Sequence, residues 1–201
     1  MGGFFGGGGY SNRPRKGDDL ELLMQISFEQ SYFGFEKEIE YAVISDYDMQ
    51  TRRAHEKNQH LMVNVPAGIV SGQYIKFTGK GHAGRNGGPA GDLYVKISVK
   101  GSSVWQREED DIVVFAEVSI YDLVLGAEIN VDHPEGKIIV KIPRGTQVTD
   151  ILKVSGRGFA KMHHGTLSHK KGNMLVKLRV SVPKKVSKKE EALWNELAGR
   201  A

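Results

Sequence analysis

A chain of 201 residues, 39% of them hydrophobic, is long enough to bury one large core or two modest ones. It contains no cysteine, which excludes disulfides, thiolate zinc sites and a cysteine nucleophile and suits a reducing, cytoplasmic setting; no apolar run approaches the roughly 20 residues of a membrane span. The net charge of +4 reflects basic residues towards the two ends, Arg13, Arg15 and Lys16, then Lys184, Lys185, Lys188 and Lys189, which read first as solvated tail and helix face and, as the alternative, as phosphate contacts.

In chain order, residues 1–17 form a Gly/Phe-rich stretch that reads as a flexible linker and lacks the apolar middle of a signal peptide. Leu20, Leu22, Met24, Ile26 and Phe28 then alternate with more polar neighbours, as a strand requires. The link EQSYFG predicts one helical turn ended by Gly34. FEKEIEY follows as a strand whose Glu36, Glu38 and Glu40 mark the solvent face of a protected edge. VPAGIVSGQYIKFTGKG (65–81) predicts a turn, a short strand and a second turn, GKGHAGRNGGPAG a long loop, and Leu93, Val95, Ile97 and Val99 another alternating strand.

From there the chain repeats itself. ISFEQSYFGFEKEIEY (26–41) parallels VSIYDLVLGAEINVDH (118–133) 92 residues on, VPAGIVSGQYIKFTGKG parallels IPRGTQVTDILKVSGRG (142–158) after 77, and GDLYVKISV (91–99) parallels GNMLVKLRV (172–180) after 81. The first copy thus carries 15 extra residues, around SDYDMQTRRAHEKNQ. Val176, Leu178, Val180 and Val182 alternate as the last strand. Repeats of this length predict a mainly β chain of two tandem, similar β-sandwich-like domains, 18–101 and 102–183, with short helical turns. In 184–201, SKKEEALWNELAGR predicts an amphipathic helix, with Ser187 as N-cap, Glu190 three residues on, and a stripe of Leu193, Trp194 and Leu197.

The glycine pairs invite comparison with phosphate loops, which need glycines between a strand and a helix so that backbone N–H groups converge on an anion. Here each pair ends a strand in a turn, so the glycines supply backbone freedom. His55 and His60, and His163, His164 and His169, lack a paired carboxylate at fixed spacing, so no metal site is expected. With no serine elbow and no H-E-x-x-H, neither catalytic residues nor a cofactor are expected.

The ordered motifs ISFEQSYFG, VNVPAGIVSGQYIKFTGKG, GGPAGDLYVKISVK, W-x-R-x-x-D-D, VSIYDLVLGAEINV, IPRGTQV, GRG and GNMLVKLRVSVPKK together resemble the C-terminal substrate-binding region of the DnaJ co-chaperones, from about Asp18 onward. GGFFGGGG resembles their glycine–phenylalanine linker. The J-domain with its His-Pro-Asp triplet has no counterpart, the nearest string being His133, Pro134, Glu135, and the absence of cysteine resembles the zinc-less class.

The resemblance implies a module that binds unfolded polypeptides and passes them to a DnaK-type chaperone. It implies a groove in the first domain at Leu20, Ile39, Tyr41, Leu61 and Val95; alternation alone suits Leu20, Ile39, Leu61 and Val95 equally to ordinary core, whereas the Tyr41 hydroxyl suits a wet rim. It also implies a homodimer formed through Leu193, Trp194 and Leu197. Glu36, Glu38 and Glu40 stand where relatives that bind the partner's acidic tail carry lysines, which speaks against that contact. Two other classes are open: a nucleic-acid binder using the N-terminal tract, with steeply salt-dependent affinity, and a non-catalytic dimer scaffold.

Overall fold

The computed structural model describes residues 13–47, 53–163 and 166–200, with Tyr47, Met162, His163 and 166–169 described by backbone alone. The linker residues 1–12, part of the 15-residue excess and His164 lie outside the described residues, as do the side chains of His163 and His169. Two compact units, Met1–Gly101 and Ser102–Ala201, divide the chain.

The first unit contains β1 (Leu20–Ile26), α1 (Phe28–Phe33), β2 (Phe35–Tyr47), β3 (Ala54–Val65), β4 (Tyr74–Phe77) and β5 (Leu93–Val99). β1, β5 and β4 form one sheet in that order, and β2 and β3 an antiparallel hairpin. The inward faces of both layers supply one core: Met24 and Ile26, Tyr41 and Val43, Val63 and Val65, Leu93, Val95 and Ile97. Alternation places these side chains inward, and burying each is worth about 1.5–3 kcal/mol.

The second unit contains β6 (Trp105–Glu108), β7 (Asp111–Ser119), α2 (Ile120–Leu125), β8 (Ala127–His133), β9 (Gly136–Ile142), β10 (Ile151–Val154), β11 (Ala160–His163), β12 (Thr166–Lys171), β13 (Met174–Ser181) and α3 (Lys188–Leu197). Its main sheet runs β10, β13, β7, β6, faced by the hairpin β8–β9 and accompanied by the hairpin β11–β12. The sequence repeat is also a repeat of register. β1 pairs β5 in parallel with Leu20 opposite Leu93 and Leu22 opposite Val95, and β7 pairs β13 in parallel with Ile112 opposite Met174 and Val114 opposite Val176.

Ser27 and Ser119 cap the two short helices, each in a reciprocal capping box with Gln30 or Asp122, and Gly34 and Gly126 end them at positive φ. Phe28, expected to continue the first strand, therefore opens α1 instead. The expected last strand likewise stops at Ser181, leaving Val182 exposed. The described part of the 15-residue excess extends the β2–β3 hairpin, Ile44 opposite Glu56 and Tyr47 opposite Ala54, whereas in the second unit a tight turn joins β8 to β9.

Candidate functional site

The two units differ at one edge. In the second unit β7 is paired on both sides, by β13 and by β6. β6 runs antiparallel to β7, with Trp105 opposite Val114 and Arg107 opposite Ile112. The Trp105 ring packs on the core and its Nε1–H donates to the Asp132 carbonyl of β8 at 2.9 Å, so the indole bridges sheet and hairpin. Arg107 stacks 3.9 Å above the Phe159 ring, and Glu108 pairs with Lys177 at 2.9 Å, pinning the strand. The edge is closed.

The residues 92 positions earlier, Arg13, Pro14, Arg15 and Lys16, stand where Trp105, Gln106, Arg107 and Glu108 stand in the second unit. They offer no apolar side chain, and Pro14 has no N–H for a ladder. They turn instead to the glycine loop. Arg15 and Arg85 exchange backbone hydrogen bonds at 3.0 and 2.9 Å, Gly17 N–H donates to the Pro89 carbonyl, and the Lys16 ammonium pairs with Asp19 at 2.9 Å and Asp92 at 3.0 Å. Among the described residues, no strand pairs with the β1 edge that faces away from β5. Leu20 N–H donates to Asp92 and the Ile26 carbonyl accepts from Lys100, so the intervening Glu21, Leu23 and Gln25 turn their backbone groups to that open edge.

Of the expected groove residues, Leu20, Ile39 and Leu61 are half-buried and pack on the first core, Ile39 directly across from Leu61. Leu22, not singled out from the sequence, belongs with them. Val95 is 0% exposed and offers no surface to a ligand. Tyr41 corrects an expectation: it is not at a wet rim but 5% exposed. Its hydroxyl donates to the Lys80 carbonyl at 3.1 Å and lies 3.3 Å from Gln59 Oε1, and burial raises the phenol pKa. Because the hydroxyl finds its partners inside, the ring can be buried whole.

His133 does the same work in the second unit. Nε2–H donates to the carbonyl of Arg157, the counterpart of Lys80, at 2.8 Å, and Nδ1 accepts from the Glu135 N–H at 3.1 Å. Acceptance at Nδ1 requires the neutral ring, and burial lowers its pKa despite the Arg157 carbonyl and the nearby Glu135. Protons therefore favour the unfolded chain, so this contribution is complete above about pH 6.5 and is lost as pH falls below that value. Thermal melts from about pH 7.5 to about pH 5.5 should show falling stability. In His133→Tyr, which installs the first unit's solution, the fall should be smaller; an unchanged fall would contradict this role.

The glycine loops repeat bond for bond. Asp18 O accepts from His82 N–H at 3.0 Å and Asp110 O from Phe159 N–H at 2.8 Å; Gly91 donates to His82 O, and Gly172 to Phe159 O. A Cβ at Gly91 would fall 2.1 Å from Asp18 O and one at Gly172 would fall 2.0 Å from Asp110 O, so these glycines serve close backbone approach. The Gly79 N–H, Lys76 and Lys16 hold the Asp92 carboxyl well below the usual carboxylate range. Lys16 is thus committed to a structural cluster. Glu36, Glu38 and Glu40 are exposed, as expected, and His60 lies 3.7 Å from Glu38. Among the described residues no cluster of three or more His, Asp or Glu could hold a metal.

At the end of the second unit, Ser187 caps α3 in a capping box with Glu190. The Trp194 ring lies 5.6 Å from Tyr121 of α2, whereas Leu193 and Leu197 remain 52% and 80% exposed. The expected stripe is therefore divided between a contact with its own unit and two open leucines.

The family model of the DnaJ C terminal domain matches residues 20–183. The chain belongs to the DnaJ family. Among its DnaJ relatives, the chaperone protein DnaJ of Lysinibacillus sphaericus is 31% identical over 256 residues, covering 97% of this chain and 68% of that protein. The chaperone protein DnaJ of Leptospira biflexa is 39% identical over 144 residues, 71% of this chain and 37% of the relative. That of Bacillus mycoides is 38% identical over a similar stretch. The 256-residue match exceeds the length of this chain, so the Lysinibacillus DnaJ carries intervening sequence that is missing here. The two-unit β architecture is that of a DnaJ-type chaperone module, and no helix of its described residues is long and apolar enough to cross a membrane.

Proposed function

We propose that this DnaJ C-terminal region binds unfolded or misfolded polypeptides along the open edge of β1 and delivers them to a DnaK-type chaperone. The observation that carries this reading is the contrast between the units, in which a strand of the chain itself closes one edge and its counterpart is drawn away from the other. A client segment adds to β1 as β6 adds to β7, antiparallel, with a large apolar side chain opposite Leu22 where Trp105 stands opposite Val114. Leu20, Leu22, Ile39 and Leu61 form the apolar wall, while Tyr41 and Val95 support it from the core. Backbone hydrogen bonding is indifferent to client sequence, which suits a chaperone. Neither a cofactor nor a catalytic group takes part.

Suppression of aggregation of a chemically denatured protein tests the reading. Leu22→Asp or Ile39→Asp places a charge where the client side chain must be desolvated, and protection should fall about tenfold with circular dichroism unchanged. Full protection by a folded Leu22→Asp variant would place the clients elsewhere.

The homodimer belongs to the same proposal. Leu193 and Leu197 give α3 an uncovered apolar face, and a two-fold contact buries such a face against itself. Two grooves in one particle raise avidity for a long unfolded chain. Sedimentation at tens of micromolar should show a dimer for the intact chain, and a folded monomer that holds clients less well after truncation following Val186. A monomeric intact chain would remove the avidity argument.

A further inference from the structure

Where the β8–β9 hairpin of the second unit meets α2 there is a cleft of about 360 Å³ with apolar walls of Leu125, Ala127, Ile142 and Pro143, and with Lys141 and Arg144 at its sides. Its shape has a counterpart in the first unit. Ala127 and Phe35 are equivalent: each follows the glycine that ends a short helix, and each lies across from the residue before a proline, Ile142 and Val65 respectively. Phe35 packs on the first core, whereas Ala127 leaves the space over Ile142 without a ring. The charges differ at the same place. Lys141 and Arg144 stand where the first unit has Asn64 and Ala67.

Neither cation forms an ion pair among the described residues, although Glu128 lies across the ladder from Lys141. Arg144 is held against the wall, since a Cβ at Gly126 would fall 3.1 Å from its Cγ. A missing ring and two unpaired cations thus coincide in one cleft. We propose that this cleft binds an aromatic side chain flanked by carboxylates, presented by an extended segment of a partner protein. The ring takes the place that Phe35 fills in the first unit, and the flanking carboxylates meet Lys141 and Arg144. The site is separate from the β1 edge and does not depend on it.

Fluorescence polarisation with the full chain and a labelled Glu-Glu-Phe-Glu-Glu peptide tests this. Ala127→Phe, which fills the cleft with the ring of the other copy, should weaken binding about tenfold or more, and so should Lys141→Glu with Arg144→Glu, which keeps the decision open if Ala127→Phe fails to fold. Replacing the peptide's Phe by Ala should have a similar effect, while Ile39→Asp should have none. Equal binding of a Lys-Lys-Phe-Lys-Lys peptide would reduce the cleft to a general apolar surface and overturn the proposal. Full affinity in both cleft variants, loss of binding in Ile39→Asp, or no binding by the unaltered chain at millimolar peptide would overturn it as well.

Discussion

Giving residues 13, 14 and 16 the side chains of β6, by Arg13→Trp, Pro14→Gln and Lys16→Glu, is expected to abolish protection of denatured clients. Position 15 already matches, because Arg15 corresponds to Arg107. Pro14→Gln restores a ladder N–H, Arg13→Trp supplies the ring that bridges to the hairpin, and Lys16→Glu sets a negative charge beside Asp19 and Asp92, repelling the segment from the glycine loop. Asp92 keeps the Gly79 N–H and Lys76, so the first unit should stay folded. The grafted strand then competes within the chain for the edge that clients use, at an effective concentration on the order of millimolar. At least a tenfold loss of protection, with melting unchanged, is the expected readout. Full protection by a variant whose β1 edge amides have become slow to exchange would show that clients do not need that edge.

Gly172→Ala should disrupt the second unit, and Gly91→Ala the first. In each case the added methyl would overlap a backbone carbonyl, Asp110 O at 2.0 Å or Asp18 O at 2.1 Å, that is already committed to a loop hydrogen bond. Neither partner is a flexible side chain that can swing away. A loss on the order of 3 kcal/mol or more is expected, as for other backbone overlaps that the surroundings cannot relieve. Gly72→Ala is an instructive contrast: its Cβ would meet nothing within 4 Å, yet its φ of +90° still strains any L residue, so a smaller loss is expected. Chemical denaturation of the three variants checks this order. Gly172→Ala as stable as the unaltered chain would mean that the loop moves to make room.

The repeat made most of the fold legible, because equivalent strands carry the same alternation and equivalent glycines the same turns. Alternation reports which face a side chain takes but not how deep it lies. That is why the half-buried Leu20, Ile39 and Leu61 could not be told in the sequence from Val95 and Tyr41, which lie in the core. Tyr41 was misjudged because its partner, the Lys80 carbonyl, is 39 residues away and no local pattern announces it. Phe28 was misjudged for a local reason, since Ser27 and Gln30 form a capping box that starts a helix. The closing strand β6 was missed because WQRE is short and only Trp105 in it is apolar. A signal for it was present: Asp18 and Asp19 align with Asp110 and Asp111, and extending the repeat five residues further upstream sets Arg13 against Trp105.

Residue-resolved amide exchange on the intact chain, with and without an unfolded peptide client rich in large apolar residues, tests the central claim most directly. Client binding should slow exchange at Glu21, Leu23 and Gln25, whose backbone groups face the open edge, and leave Val113, opposite Gln106 in the closed edge, unchanged. Client binding that leaves Glu21, Leu23 and Gln25 exchanging at their free rates would contradict it.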